Sequence, residues 1–217
     1  MSLTQRKPRP LDRGTGGFRD DRLFILACDD TYAPKQYFSF FQVPRVQIHV
    51  VPTVDGTSVA RHVLDRLEGL DHDEDDERWL VLDTDHCTEP NHVGGFVQVI
   101  TEARQKGIRV ALSKPCFELW LLLHHEEEKS VEGLEDCAGT VAALRAKLGA
   151  YNKTKLRPEH YLPSIVEACH RAERLDASVD GGDIPEGATT RVYQLVKAIV
   201  DSALPTQLPE ALRALKP

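Results

Sequence analysis

A chain of 217 residues, 41% of them hydrophobic and 28% charged, has enough apolar material for one good-sized core and too much for a disordered or fibrous polymer. Its net charge of −7 excludes a broadly basic nucleic-acid wrapper, but not an enzyme that holds nucleic acid through metal ions and a local basic patch. No apolar stretch approaches the ~20 residues needed to span a bilayer, and Leu119 to Leu123 is far too short.

Met1 to Asp21 is polar, rich in Arg, Lys, Pro and Gly, and lacks the apolar middle of a secretory signal, so it reads as a flexible arm. Arg22 to Cys28 is a compact apolar strand ending at Asp29-Asp30, and Pro34 to Phe41 a short helix rich in aromatics. Val46 to Val51 alternates as a second strand. Gly56 to Leu70 carries Val59, Val63, Leu64 and Leu67 on one helical face. Asp71 to Glu77 crowds six carboxylates that repel one another, hence a solvated loop. Trp79 to Leu82 is a third strand, Val93 to Lys106 a helix closed by Gly107, and Ile108 to Leu112 a fourth strand. Beyond residue 125 the pattern is helical, over Leu134 to Leu148, Tyr161 to Leu175 and Thr189 to Leu204, with a loop at Asp176 to Glu186.

Strands alternating with helices predict an α/β fold: a Rossmann-like, mostly parallel four-stranded sheet flanked by helices. Residues 22–125 form that core and 126–217 a helical extension packed on it, one compact domain in all. The five cysteines, Cys28, Cys87, Cys116, Cys137 and Cys169, are widely spaced and include no C-x-x-C pair, so reduced thiols in a cytoplasm are expected and a zinc site is not.

In parallel sheets, sites gather at the carboxyl ends of strands. That edge receives Asp29 from the first strand, Asp83 and Asp85 from the third and Ser113 from the fourth. Asp83-Thr84-Asp85 has two readings: acids that cap a turn and the next helix, or hard oxygen ligands for a divalent cation. Ser113 either orients a water or phosphate or caps a turn. The aromatics Tyr37, Phe38, Phe40 and Phe41 read as core rather than a base-stacking surface.

The stretch Ala111 to His125, ALSKPCFELWLLLHH, resembles the signature of the RloB-like family, a Ser-Asn-Pro-Cys-Phe-Glu-Leu-Trp-Leu-Leu-Leu-His string after a strand, with Lys114 in place of the usual Asn. Tyr37-Phe38, Tyr151-Asn152-Lys153 and Thr190 to Val196 resemble further landmarks of that family. The resemblance implies a Toprim-like core and a magnesium- or manganese-dependent nuclease of bacterial anti-phage or abortive-infection defence. It also implies DNA or RNA as substrate, an ABC-type ATPase as partner, and no membrane; a homodimer is compatible with it. Carried over by position, Asp29, Asp83 and Asp85 would be metal ligands, Glu118 a second-metal ligand or a structural carboxylate, and Lys153 a cation near the scissile phosphate, with Lys155 its substitute.

One motif departs from the family. Where relatives read Cys-Glu-Gly-Glu-Lys-Thr-Glu-Pro, this chain reads Cys28-Asp29-Asp30-Thr31-Tyr32-Ala33-Pro34-Lys35. Glu to Asp removes one methylene, about 1.5 Å of reach, from the first acid. A non-catalytic Toprim-like module that binds a protein partner or nucleic acid is therefore the alternative.

Overall fold

The computed structural model describes residues 21–51, 53, 59–87 and 90–216. All but Asp21 of the expected N-terminal arm lies outside them. Four strands, β1 (Arg22–Cys28), β2 (Val46–Val51), β3 (Glu77–Asp83) and β4 (Arg109–Lys114), alternate with helices α1 (Ala33–Phe38), α2 (Ala60–Glu68) and α3 (Pro90–Gln105). Then come α4 (Glu118–Leu122), α5 (Glu128–Val131), α6 (Cys137–Leu148), α7 (Ile165–Ala177), a two-residue strand β5 (Thr189–Thr190), α8 (Val192–Asp201) and α9 (Glu210–Arg213).

The sheet order is β2-β1-β3-β4-β5. The first four strands pair in parallel, as the alternation predicts, and β5 adds an antiparallel fifth strand against Ser113 and Lys114. That strand departs from the four expected: Thr189 and Thr190 are too few to show a period, and the sequence there reads as the start of a helix. They pair because the Ser113 hydroxyl meets the Thr190 hydroxyl at 2.9 Å, both groups buried. Ser113 is thus committed to a strand pairing, neither a turn cap nor a ligand for water.

Side chains alternate across the sheet. Phe24, Leu26, Trp79, Val81 and Ala111 join one apolar cluster with α1, α4 and the helices from α6 on. Leu23, Ile25, Ala27, Leu80, Leu82 and Leu112 join another with α2 and α3. α2 buries Ala60, Val63, Leu64 and Leu67, whereas the expected Val59 precedes the helix and is exposed. The Tyr37 ring, fully buried, packs edge-on against Phe117, Trp120 and Tyr161, so the aromatic cluster is core.

Lys114, the odd residue of the 111–125 string, donates to the carbonyls of Pro185 (2.6 Å) and Glu186 (3.0 Å). It ties the end of β4 to the loop that delivers β5.

Two of the five cysteines depart from the reduced state expected of them. Cys116 follows β4 and Cys137 opens α6; α4 packs on α6, bringing the two Cα atoms to 5.6 Å, and the sulfurs are joined in a disulfide. Cys28, Cys87 and Cys169 are free.

Candidate functional site

The sheet order fixes where a site forms. The chain leaves β1 for β2 on one side, then crosses back to β3 on the other, so the strand order reverses between β1 and β3. Helices leave on opposite faces there, the arrangement at which open α/β sheets place their ligand sites, outside the carboxyl ends of the two strands. Asp29 follows β1, and Asp83 closes β3.

Asp29 braces that edge of the sheet. Its Oδ2 accepts from the Asp83 backbone N–H at 2.6 Å and its Oδ1 from the Asp30 N–H at 2.7 Å. The carboxyl is buried, and desolvation outweighs both amides, pushing its pKa up to about 7 with a push from Asp85 and Asp30. The Asp83 pKa is also raised, by burial first and then by Asp29, Glu118, Asp85 and Asp30. Five carboxylates therefore repel one another around one switch point.

The loop between the paired acids is held rigidly. Thr84 donates its N–H to the carbonyls of Ser113 (3.0 Å) and Pro115 (3.1 Å), and Asp85 donates its own to Pro115 at 3.1 Å. Asp83 and Asp85 are thereby presented from a backbone fastened to the end of β4. Asp30 works locally as well: its carboxylate accepts from the amides of Tyr32 (3.0 Å) and Ala33 (3.2 Å) and fastens the turn that leads into α1.

Glu118 enters from the first turn of α4. It is 6% exposed, and its Oε1 accepts from the Tyr151 hydroxyl at 2.8 Å. Burial raises its pKa, and the tyrosine opposes that rise. Its Oε2 lies 3.8 Å from Cys137 Sγ, a contact rather than a hydrogen bond, because a disulfide sulfur carries no proton. Lys153 approaches from the connector after α6, its Nζ 3.2 Å from Asp30 Oδ1, with Glu118 and Asp83 among the charges it feels. The sequence motifs singled out Asp29, Asp83, Asp85, Glu118 and Lys153, and the fold brings all five into one electrostatic neighbourhood. Asp30, the alternative first acid of the sequence reading, and Tyr151, part of the Tyr151-Asn152-Lys153 landmark, join them, but their contacts with Lys153 and Glu118 span 123 and 33 residues and no local pattern announces them.

A hard divalent cation suits these donors. Asp83 Oδ1 is buried with no hydrogen-bond partner, an oxygen with its electron pairs unused, and a cation would offset the burial and the repulsion that raise the Asp29 and Asp83 pKa values. Among the described residues, the three ligand atoms that fall within 4.8 Å of one another belong to Cys116, Glu118 and Cys137. The disulfide spends both sulfurs of that trio, leaving Glu118 alone as a donor. His124 is 2% exposed and hydrogen-bonded into the aromatic core, and His92 is exposed, which leaves neither in a ligand cluster.

A cavity of about 620 Å³ opens at the amino end of β4, lined by Arg104, Arg109, Asp176, Asp183 and Arg191. Its charges are already matched, Arg104 with Asp183, Arg191 with Asp176 and Arg109 with Glu77, and it lies at the wrong end of the strand for the acids. No helix among the described residues is long and apolar enough to cross a membrane.

A protein-family model described as RloB-like protein matches residues 24–199, well over half of the chain and every element of the acid site. No curated protein and no solved structure matches.

Proposed function

The chain belongs to the RloB-like family, and on that premise we propose that it is a divalent-metal-dependent phosphodiesterase, a nuclease with a Toprim-like centre. In this reading it cleaves DNA or RNA in the cytoplasm, in bacterial defence against phage, beside an ABC-type ATPase. The observation that carries the reading is the convergence of buried, mutually repelling carboxylates on the β1/β3 switch point, one of them with an oxygen that no protein donor meets.

Hard carboxylate oxygens suit magnesium or manganese. Asp83 and Asp85 would hold the ion, with Asp29 and Glu118 on its flanks; such an ion supplies a water of lowered pKa and neutralises charge on the phosphoryl group. The residues of the chain do the rest. Asp29 positions the Asp83-Thr84-Asp85 loop through the Asp83 amide. Tyr151 orients the Glu118 carboxylate. Lys153, half-exposed beside Asp30, offers a cation to the charge that builds on the phosphate in the transition state.

A second reading, a Toprim-like module that binds without cleaving, is favoured by one feature. Both Asp29 oxygens are engaged by amides, and its pKa of about 7 leaves it partly protonated at neutral pH, which weakens it as a ligand. Incubating the purified protein with labelled DNA and with transfer RNA, under magnesium or manganese, separates the two. Metal-dependent cleavage that disappears in Asp83→Ala/Asp85→Ala supports the enzyme. Cleavage at the same rate by both proteins sinks the site assignment, and retention of nucleic acid without cleavage selects the binding module.

A further inference from the structure

We propose that the connector after α6 and the cavity behind it form a track for a single-stranded nucleic acid, delivering one splayed nucleotide to the acid centre. This deepens the phosphodiesterase reading and rests on it for the class of polymer. The charge pattern comes first. Residues 145–158 carry Arg145, Lys147, Lys153, Lys155 and Arg157 and not one carboxylate, in a chain whose net charge is −7.

The backbone sorts these cations. α6 ends at Gly149, whose φ of 74° lets the chain reverse where a Cβ would strain it. Asn152 then builds a tight turn, its Oδ1 accepting from the Thr154 N–H (2.9 Å) and hydroxyl (2.8 Å) and its carbonyl from the Lys155 N–H (3.0 Å). The turn sends Lys153 onto Asp30, with its Nζ 5.6 Å from the Tyr32 ring, and Lys155 into the wall of a cavity of about 470 Å³.

That cavity joins apolar and cationic surface. Leu148 and Leu156 supply apolar walls, Lys155 and Arg157 supply charge, and His160 adds an imidazole ring. Its volume is within the ~300–1,000 Å³ of small-ligand sites. Lys155 and Arg157 are exposed and enter no ion pair among the described residues, whereas nearby Lys147 is matched to Glu126 at 3.0 Å. Tyr151 links cavity to centre, since its ring lines the one while its hydroxyl donates to Glu118 in the other. Apolar walls, one half-buried aromatic and two unspent cations match a base flanked by phosphates. A recess beside buried acids admits an unstacked nucleotide and excludes the rod of a duplex.

The test is fluorescence anisotropy with labelled 20-nucleotide oligo-U RNA, oligo-dT DNA and a 20-base-pair duplex, in EDTA so that cleavage plays no part. The wild-type protein should hold at least one single strand tenfold tighter than the duplex. Lys155→Glu/Arg157→Glu, with an unaltered thermal melt, should weaken that binding at least tenfold and flatten its log–log salt dependence by roughly one to two, two phosphate contacts' worth. Equal affinity in wild type and double variant, or preference for the duplex, overturns the track. Cleavage seen alongside an unaltered double variant would sink the track and leave the phosphodiesterase standing. Strand binding lost in the double variant, with no cleavage under either metal, would do the reverse.

Discussion

Lowering the pH from 6.5 to 5 should cost the native state about 2 kcal/mol through a single side chain, His124. Its ring is 2% exposed, with Nδ1 2.9 Å from the Trp120 carbonyl and Nε2 3.0 Å from the Tyr37 hydroxyl. A carbonyl only accepts, so Nδ1 carries the proton and Nε2 accepts from tyrosine; a second proton would have to displace that bond in a desolvated pocket. Burial accordingly pushes the imidazole down from 6.5 to about 3. For a base depressed by folding, the stability is complete above the unfolded value and drains away as pH falls toward the folded one. At ~1.4 kcal/mol per pH unit, a fall of 1.5 units gives roughly 2 kcal/mol, or about 4–8 °C in Tm for a domain of this size. Urea titrations of wild type and His124→Gln at pH 7.5 and pH 5 read the effect directly. The variant should be weaker at pH 7.5 yet lose about 2 kcal/mol less on acidification. The buried carboxylates, common to both proteins, cancel in that comparison. Parallel stability profiles would refute the assignment of His124 as a neutral core group.

Asp83→Asn should trade activity for stability: the raised acid destabilises once ionised, so at pH 8 the variant should melt above wild type, with the difference shrinking toward pH 5, while cleavage is lost. A variant that melts below wild type at pH 8 would contradict the repulsion. Tyr151→Phe removes the donor that opposes the rise in the Glu118 pKa, so activity should drop about tenfold at pH 7 and recover toward pH 9; an unchanged pH–rate profile would show that the contact has no role. Lys114→Ala frees the carbonyls of Pro185 and Glu186, and limited proteolysis should cut the 181–187 loop faster than in wild type, with cutting elsewhere unchanged.

Much of this architecture is legible in the residues. β1 and β2 coincide with their predicted spans because their apolar runs are compact and sharply bounded. The acids at 29, 83 and 85 were located by their place after strands, a rule of topology that needs no knowledge of contacts. What hid from the sequence is what depends on long-range encounter. Thr189-Thr190 is a strand only because Ser113 lies opposite. Cys116 and Cys137 meet because α4 packs on α6, and no spacing rule anticipates that. The predicted helix from Leu134 starts three residues later, at Cys137, since Asp136 accepts from the Gly139 N–H at 2.7 Å and caps it there.

The amide bridge from Asp29 to Asp83 ties the length of the acid at position 29 to the course of the neighbouring backbone, whatever side chain position 83 carries. A glutamate at 29, longer by about 1.5 Å, would carry its carboxylate past both amides that now hold the aspartate. Placing the longer acid at position 29 by a lone substitution should therefore lose both bonds, and they become accessible to it only once the 83–85 loop has been redrawn to receive it. An engineered exchange at this edge has to reshape the backbone of the next strand's loop along with the acid itself.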